Sequence, residues 1–181
     1  MSQATVKQAL SATIAGIQKD PRTAKVVFRA SSQLEEDVRC LAQIREFPPM
    51  VIDEPPALGG QDAGANPVEL VLAALGTCQE IMYAAYASVL DIQLDGVQVK
   101  TRGYLDLHGL LGLDAEIPPG FQRVTFEVDL QSPAPDADLR KLVDMVESHC
   151  PVMDILTRSL QVDGKARVNG RALAEQVSSA A

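Results

Sequence analysis

The segment from Asn66 to Leu90 constrains the fold more than any other. It begins Asn66-Pro67-Val68-Glu69-Leu70-Val71-Leu72-Ala73-Ala74-Leu75-Gly76-Thr77-Cys78 and stays largely apolar to Leu90. Asn66 is a favoured N-cap, Pro67 suits the first helical position, and Glu69 stands three residues after the cap, the spacing of a capping box. The helix that follows is apolar nearly all round as far as Thr77, so it belongs in the centre of a fold or in an interface. It is long enough to span a bilayer, but Glu69, Gln79 and Glu80 interrupt it, which favours a core helix.

Other elements are read from periodicity. Val6, Leu10, Ile14 and Ile17 predict a short amphipathic N-terminal helix that Asp20-Pro21 stops. Ala24, Val26, Phe28 and Ala30 alternate with polar neighbours and predict a strand. Val38, Cys40, Ala42 and Ile44 predict a second strand running to about Phe47, with a helix through Leu34, Val38, Leu41 and Arg45 as the competing reading. Residues 54–66 are rich in Pro and Gly and form a long loop. Asp95-Gly96 is a turn, Val97 to Leu107 a strand, and residues 108–120 a loop. Val124, Phe126, Val128 and Leu130 mark the clearest half-buried strand. Leu139, Leu142, Val143 and Val146 line a second helix, and Pro151 restarts a short one. Leu160 to Val168 reads as a hairpin turning at Asp163-Gly164. The tail from Arg171 to Ala181 is small, polar and expected to fray.

Composition narrows the functional classes. The chain has 181 residues, a formal charge of −8 and only 4% aromatics, enough for one domain with an aliphatic core. No Lys/Arg cluster appears, so neither a nucleic-acid face nor an anionic membrane surface is expected. The N-terminal stretch has no sustained apolar run of the signal-peptide kind, so a cytoplasmic location is expected.

Three cysteines in such a chain do not suggest a structural disulfide framework; redox or catalytic use is the more plausible special role. Cys78 closes the apolar stretch. Cys150, in Ser148-His149-Cys150-Pro151, lies where one helix stops and another begins, and a helix N-terminus favours the reactive thiolate. Cys40 falls on the apolar face of a strand and reads as core packing. His149 is either a thiolate partner or a simple helix-dipole partner, and His108 sits in a loop. Neither Cys-x2-Cys nor His-Glu-x2-His occurs, so no metal and no cofactor are expected; P-loop and dinucleotide motifs are absent.

Three stretches together resemble the OsmC/Ohr family of thiol peroxidases: Asp53-Glu54-Pro55 with Leu58-Gly59-Gly60, Asn66-Pro67 through Cys78, and Cys150-Pro151-Val152. Their order and spacing match the family over roughly residues 24–168. The resemblance implies an α+β fold in which two central helices are wrapped by antiparallel sheets and two chains intertwine as a homodimer. Residues 1–22 are expected as an N-terminal helical extension outside the match, 23–170 as a single OsmC-like domain and 171–181 as a tail. The resemblance also implies a mechanism: Cys78 attacks a peroxide, Cys150 resolves the sulfenic acid as a disulfide, and a dithiol reductant restores both. Organic hydroperoxides are the implied substrates, and oxidative-stress defence the implied role.

In the family an Arg supports the thiolate and a Glu ten residues before the first cysteine holds that Arg. Here position 68 is Val, and Glu69 lies on the wrong side of the helix to replace that Glu. Arg45 is the expected thiolate partner, lowering the Cys78 pKa, with Arg39 second. Val68 also keeps open an alternative, a weakly catalytic or non-catalytic protein that binds a small apolar ligand or senses redox state.

Overall fold

The computed structural model describes residues 2–173 and 176–178. In chain order these form α1 (Gln3–Lys19), β1 (Ser31–Glu36), β2 (Arg39–Gln43), β3 (Met50–Ile52), α2 (Pro67–Val89), β4 (Gly96–Leu105), α3 (Leu107–Leu110), β5 (Phe121–Gln131), α4 (Asp136–His149), α5 (Pro151–Thr157), β6 (Val162–Gly164), β7 (Arg167–Val168), β8 (Arg171–Ala172) and β9 (Gln176–Ser178). The class is α+β. Strands β1, β2 and β3 make an antiparallel meander, β4 and β5 a long antiparallel ribbon, and β6–β9 and β7–β8 two short pairs.

The central helix forms as its cap demands. Asn66 Oδ1 accepts from the Glu69 N–H and Glu69 Oε2 accepts from the Asn66 N–H, both at 2.9 Å. Two donors that a helix start leaves orphaned are thereby satisfied. The loop that delivers this cap is itself fixed. The buried Asp53 carboxylate accepts from the N–H groups of Glu54, Gln61 and Ala63 at 2.9–3.1 Å. Those bonds, led by that from Ala63, outweigh burial and hold the Asp53 carboxyl below its usual range; the Arg39 charge helps. Gly59 takes φ +91, and a Cβ on Gly60 would meet the Glu54 carbonyl oxygen at 1.8 Å. Only glycine admits that approach.

Helix α2 lies between β4 and α4. Toward β4, Glu80 Oε1 accepts from the Val99 N–H at 3.1 Å, and the Thr101 hydroxyl donates to the Leu72 carbonyl at 3.3 Å. Toward α4, Tyr83 and Ala87 meet Leu142 and Val146 in a core completed by Ile92. Each large aliphatic side chain buried there contributes about 1.5–3 kcal/mol. The Ser132 hydroxyl donates to the Gln93 carbonyl just before α4 begins. The start of α4 thus sits at the end of α2, and the two helices run antiparallel.

The expected core position of α2 holds for one face only. Leu75, Gln79, Tyr83 and Ala87 are buried, whereas Ile81 is 67% exposed and Val71 36%. Among the described residues it is also the one helix long and apolar enough, by length and composition, to cross a membrane. The chain exposes 13538 Å². A compact monomer of 19.4 kDa exposes about 8,500 Å².

Several expectations need correction. Residues 25–30 form no strand, with Phe28 90% exposed, and the first strand begins at Ser31. The alternation was real, but no strand among the described residues pairs with this segment. Strand β2 stops at Gln43, because Arg45 turns at φ +50 and Gln43 caps that turn through the carbonyls of Arg45 and Phe47. Asp163-Gly164 is not a turn: β6 pairs with β9, and the hairpin is β7–β8 around Asn169 (φ +50) and Gly170 (φ +79). Asn-Gly takes the two left-handed positions of a tight turn more readily than most pairs. The tail expected to fray therefore contains β8 and β9; residues 174, 175 and 179–181 lie outside the described residues. In the 108–120 loop, the short α3 is capped by Asp106.

The N-terminal helix forms as expected and packs on α2. The Gln3 amide donates to the Ile92 carbonyl at 2.8 Å, and Lys7 pairs with Asp91.

The cap analysis gives the first prediction. Asn66→Ala should lower stability by about 1 kcal/mol, read as a lower urea midpoint at unchanged slope.

Candidate functional site

Cys78 projects from α2 where α5 reaches that helix. Cys150 is the single residue joining α4 to α5. Its N–H donates to the Val146 carbonyl, closing α4, and its carbonyl accepts from the Asp154 N–H, opening α5. The side chain is 1% exposed. Because α4 runs antiparallel to α2, its C-terminal end returns to the level of Cys78. The Cys150 side chain is set against that of Cys78, and both are free thiols.

The electrostatics differ from expectation. Burial pushes the Cys78 thiol above its ordinary value, and the neighbouring Cys150 pushes the same way. The Val152 backbone N–H, in the first turn of α5, opposes both by hydrogen bonding to the sulfur. The start of α5 thus acts on Cys78, whereas the sequence had pointed to Cys150. The expected lowering by an arginine is not seen, since no arginine is among the groups acting on this thiol.

Arg45 is not brought to the thiol pair within the chain. It sits in the turn after β2 with its guanidinium 4.5 Å from the centre of the Phe47 ring. Arg39 ion-pairs with Glu35 and Glu36. Glu69 is committed to the helix cap, and Val68 is half-buried. Cys40 is half-buried in β2, paired across the sheet with Leu34 and Ile52. His149 bonds Ser148 and the Met145 carbonyl and meets the edge of Tyr86, while His108 bonds Asp106. Among the described residues no group of three or more His, Cys, Asp or Glu is placed to hold a metal.

The sequence assigned no role at the site to two further residues. Val152 acts through its backbone. Gln79, next to Cys78, is 0% exposed, and neither its amide nitrogen nor its amide oxygen has a partner. Such a group costs about 1–3 kcal/mol. The sequence marks it only as a polar residue spaced four from Leu75 and Tyr83, on the buried stripe. Further along that stripe Tyr83 is pushed up to about 12 by burial and by Glu147, so its phenol stays protonated at neutral pH.

The raised Cys78 thiol sets a pH prediction. A raised pKa leaves less thiolate at neutral pH, so alkylation of Cys78 in the reduced protein should rise with a midpoint above the free-thiol value of about 8.5. In Cys150→Ala the midpoint should move down, because one of the two raising influences is gone. Mass-resolved alkylation against pH reads both.

The family model described as OsmC-like protein matches residues 59–165. No curated protein matches the chain in sequence. Solved structures share the fold at low identity. An OsmC-like protein from Mycoplasma pneumoniae superposes with a TM-score of 0.63 at 17% identity, over 73% of this chain and 88% of that one. An OsmC-like protein of unknown function from Vibrio cholerae gives 0.60 at 11%, over 75% and 96%. An organic hydroperoxide resistance protein, OsmC, from Legionella pneumophila gives 0.56 at 19%, over 73% and 90%. With a match that spans more than half of its length and takes in both Cys78 and Cys150, the chain belongs to the OsmC-like protein family.

Proposed function

We propose that this protein is a thiol-dependent peroxidase that reduces organic hydroperoxides. One observation carries the reading: two free thiols, Cys78 and Cys150, face each other where α5 meets α2. The Cys78 thiolate attacks the outer oxygen of the hydroperoxide. An S–O bond forms, the O–O bond breaks, and the alkoxide leaves and takes up a proton as alcohol. Cys78 is then a sulfenic acid. The Cys150 sulfur attacks the Cys78 sulfur; the S–S bond forms, the S–O bond breaks, and the oxygen leaves as water with the thiol proton. An external dithiol reduces the disulfide by exchange, returning both thiols. Free thiols of this kind suit a reducing compartment such as the cytoplasm. The name of the Legionella protein supports the substrate class.

The working unit we propose is a homodimer. The surface exposed beyond that of a compact monomer is about 5,000 Å², well above the ~800 Å² per partner of a standard interface. It includes Ile81 on α2, the unpaired Phe28 and the run Leu107, Leu110, Leu111 and Leu113. Arg45 keeps its proposed role as thiolate partner only as a residue contributed across that interface. Sedimentation at micromolar concentration should give a dimer; a stable folded monomer would remove this part.

A second reading, a binding or sensing protein without efficient turnover, is favoured by the raised Cys78 thiol and by Val68. Cumene hydroperoxide consumption with dithiothreitol separates the two. Turnover should be present in wild type and unchanged in Cys40→Ala. Cys78→Ser should lower it by at least ~10³-fold. Cys150→Ser should react once and stall as a sulfenic acid. A wild type that binds apolar ligands but consumes no peroxide would favour the second reading.

A further inference from the structure

Gln79 is the one uncharged side chain amide in the described structure that is both fully buried and unpartnered at two atoms. It has no accessible surface, and neither Nε2 nor Oε1 makes a hydrogen bond. A fold has simpler choices at such a position, since a leucine of similar size would fill the space without a polar cost. Buried polar groups that break the local rule tend to mark functional or strained sites.

Its placement is specific. Gln79 follows Cys78 in α2 and lies on the stripe Leu75, Gln79, Tyr83, Ala87. Tyr83 and Ala87 of that stripe pack against α4, whose own buried residues are Leu142, Val146 and then Cys150. The helices are antiparallel, with Cys150 at the level of Cys78, so Gln79 belongs to the end of the seam that holds the two thiols. Gln79 is closed to bulk solvent in the chain as folded, so a group arising within the seam is well placed to partner it.

We propose that Gln79 is a positioning residue for the step in which Cys150 resolves oxidised Cys78. This rests on the peroxidase reading above. In the reduced protein the amide has nothing to bond. The Cys150 side chain is engaged with Cys78 instead. Once Cys78 has gained an oxygen, Nε2 donates to that oxygen. The orphaned donor thus matches the group that has to be held while Cys150 attacks. In the step itself the Cys150 sulfur bonds to the Cys78 sulfur, the S–O bond breaks, and the thiol proton leaves with the oxygen as water; the amide is unchanged. A fixed dipole in a dry site needs no reorganisation at the moment of reaction.

The test uses the full chain, with one equivalent of cumene hydroperoxide added to reduced wild type, Gln79→Leu and Gln79→Met. Sulfenic acid is trapped with a cyclic 1,3-dione, and disulfide formation is followed by mass. Both variants should match or exceed the wild-type Tm, because the unpartnered amide is gone. Sulfenic acid should form at the wild-type rate, while the disulfide forms ~10-fold or more slowly and trapping increases. The methionine variant supplies the answer if leucine disturbs the seam. Equal disulfide rates in a folded variant and in wild type would overturn the role of Gln79 while leaving the peroxidase reading intact. A wild type that forms neither sulfenic acid nor disulfide would overturn both.

Discussion

The antiparallel seam between α2 and α4 is the constraint on which the rest depends. Tyr83 and Ala87 on one helix meet Leu142 and Val146 on the other. This packing sets the level at which α4 ends. Because it ends at Cys150, the seam also sets where the second thiol lies. The β4–β5 ribbon backs α2 from the other side through Glu80 and Thr101. Packing and placement of the thiols are therefore one problem, and a slip of one helical turn would undo both.

Opposing influences meet on Cys78. Burial and the second thiol keep it protonated, and a single backbone N–H from Val152 pulls the other way. A thiolate is the nucleophile in sulfur chemistry, so a single chain holds this cysteine in a subdued state. The surroundings that would change this balance are the ones one chain leaves bare, such as the outer face of α2 around Ile81.

Much of this was legible in the sequence because it is written locally. Asn66, Pro67 and Glu69 carry the capping box in their spacing, and Val124 to Leu130 carry strand β5 in their alternation. The thiol pair was legible for another reason: each cysteine sits at a chemically special point of a helix pattern. What failed depends on partners far away in the chain. Alternation at residues 24–30 cannot say whether a neighbouring strand exists. Asp163-Gly164 and Asn169-Gly170 both look like turns, and strand pairing decides between them. The role of Arg45 could not be read because its place depends on a turn that seats it over Phe47. Gln79 looked like an interruption in an apolar helix, since burial on all sides is a property of the assembled seam.

The one-residue joint at Cys150 has a kinetic consequence. Both of its backbone groups are spent, one closing α4 and the other opening α5. The main chain there is as firm as the helices it joins. A cysteine sulfur then has a single torsion left, with three staggered positions. Its search for the sulfur of Cys78 is a choice among rotamers rather than among loop conformations, and side-chain hops of that kind run orders of magnitude faster than the movement of a loop. In the thiol chemistry proposed above, the resolving step therefore involves little waiting for the chain to rearrange.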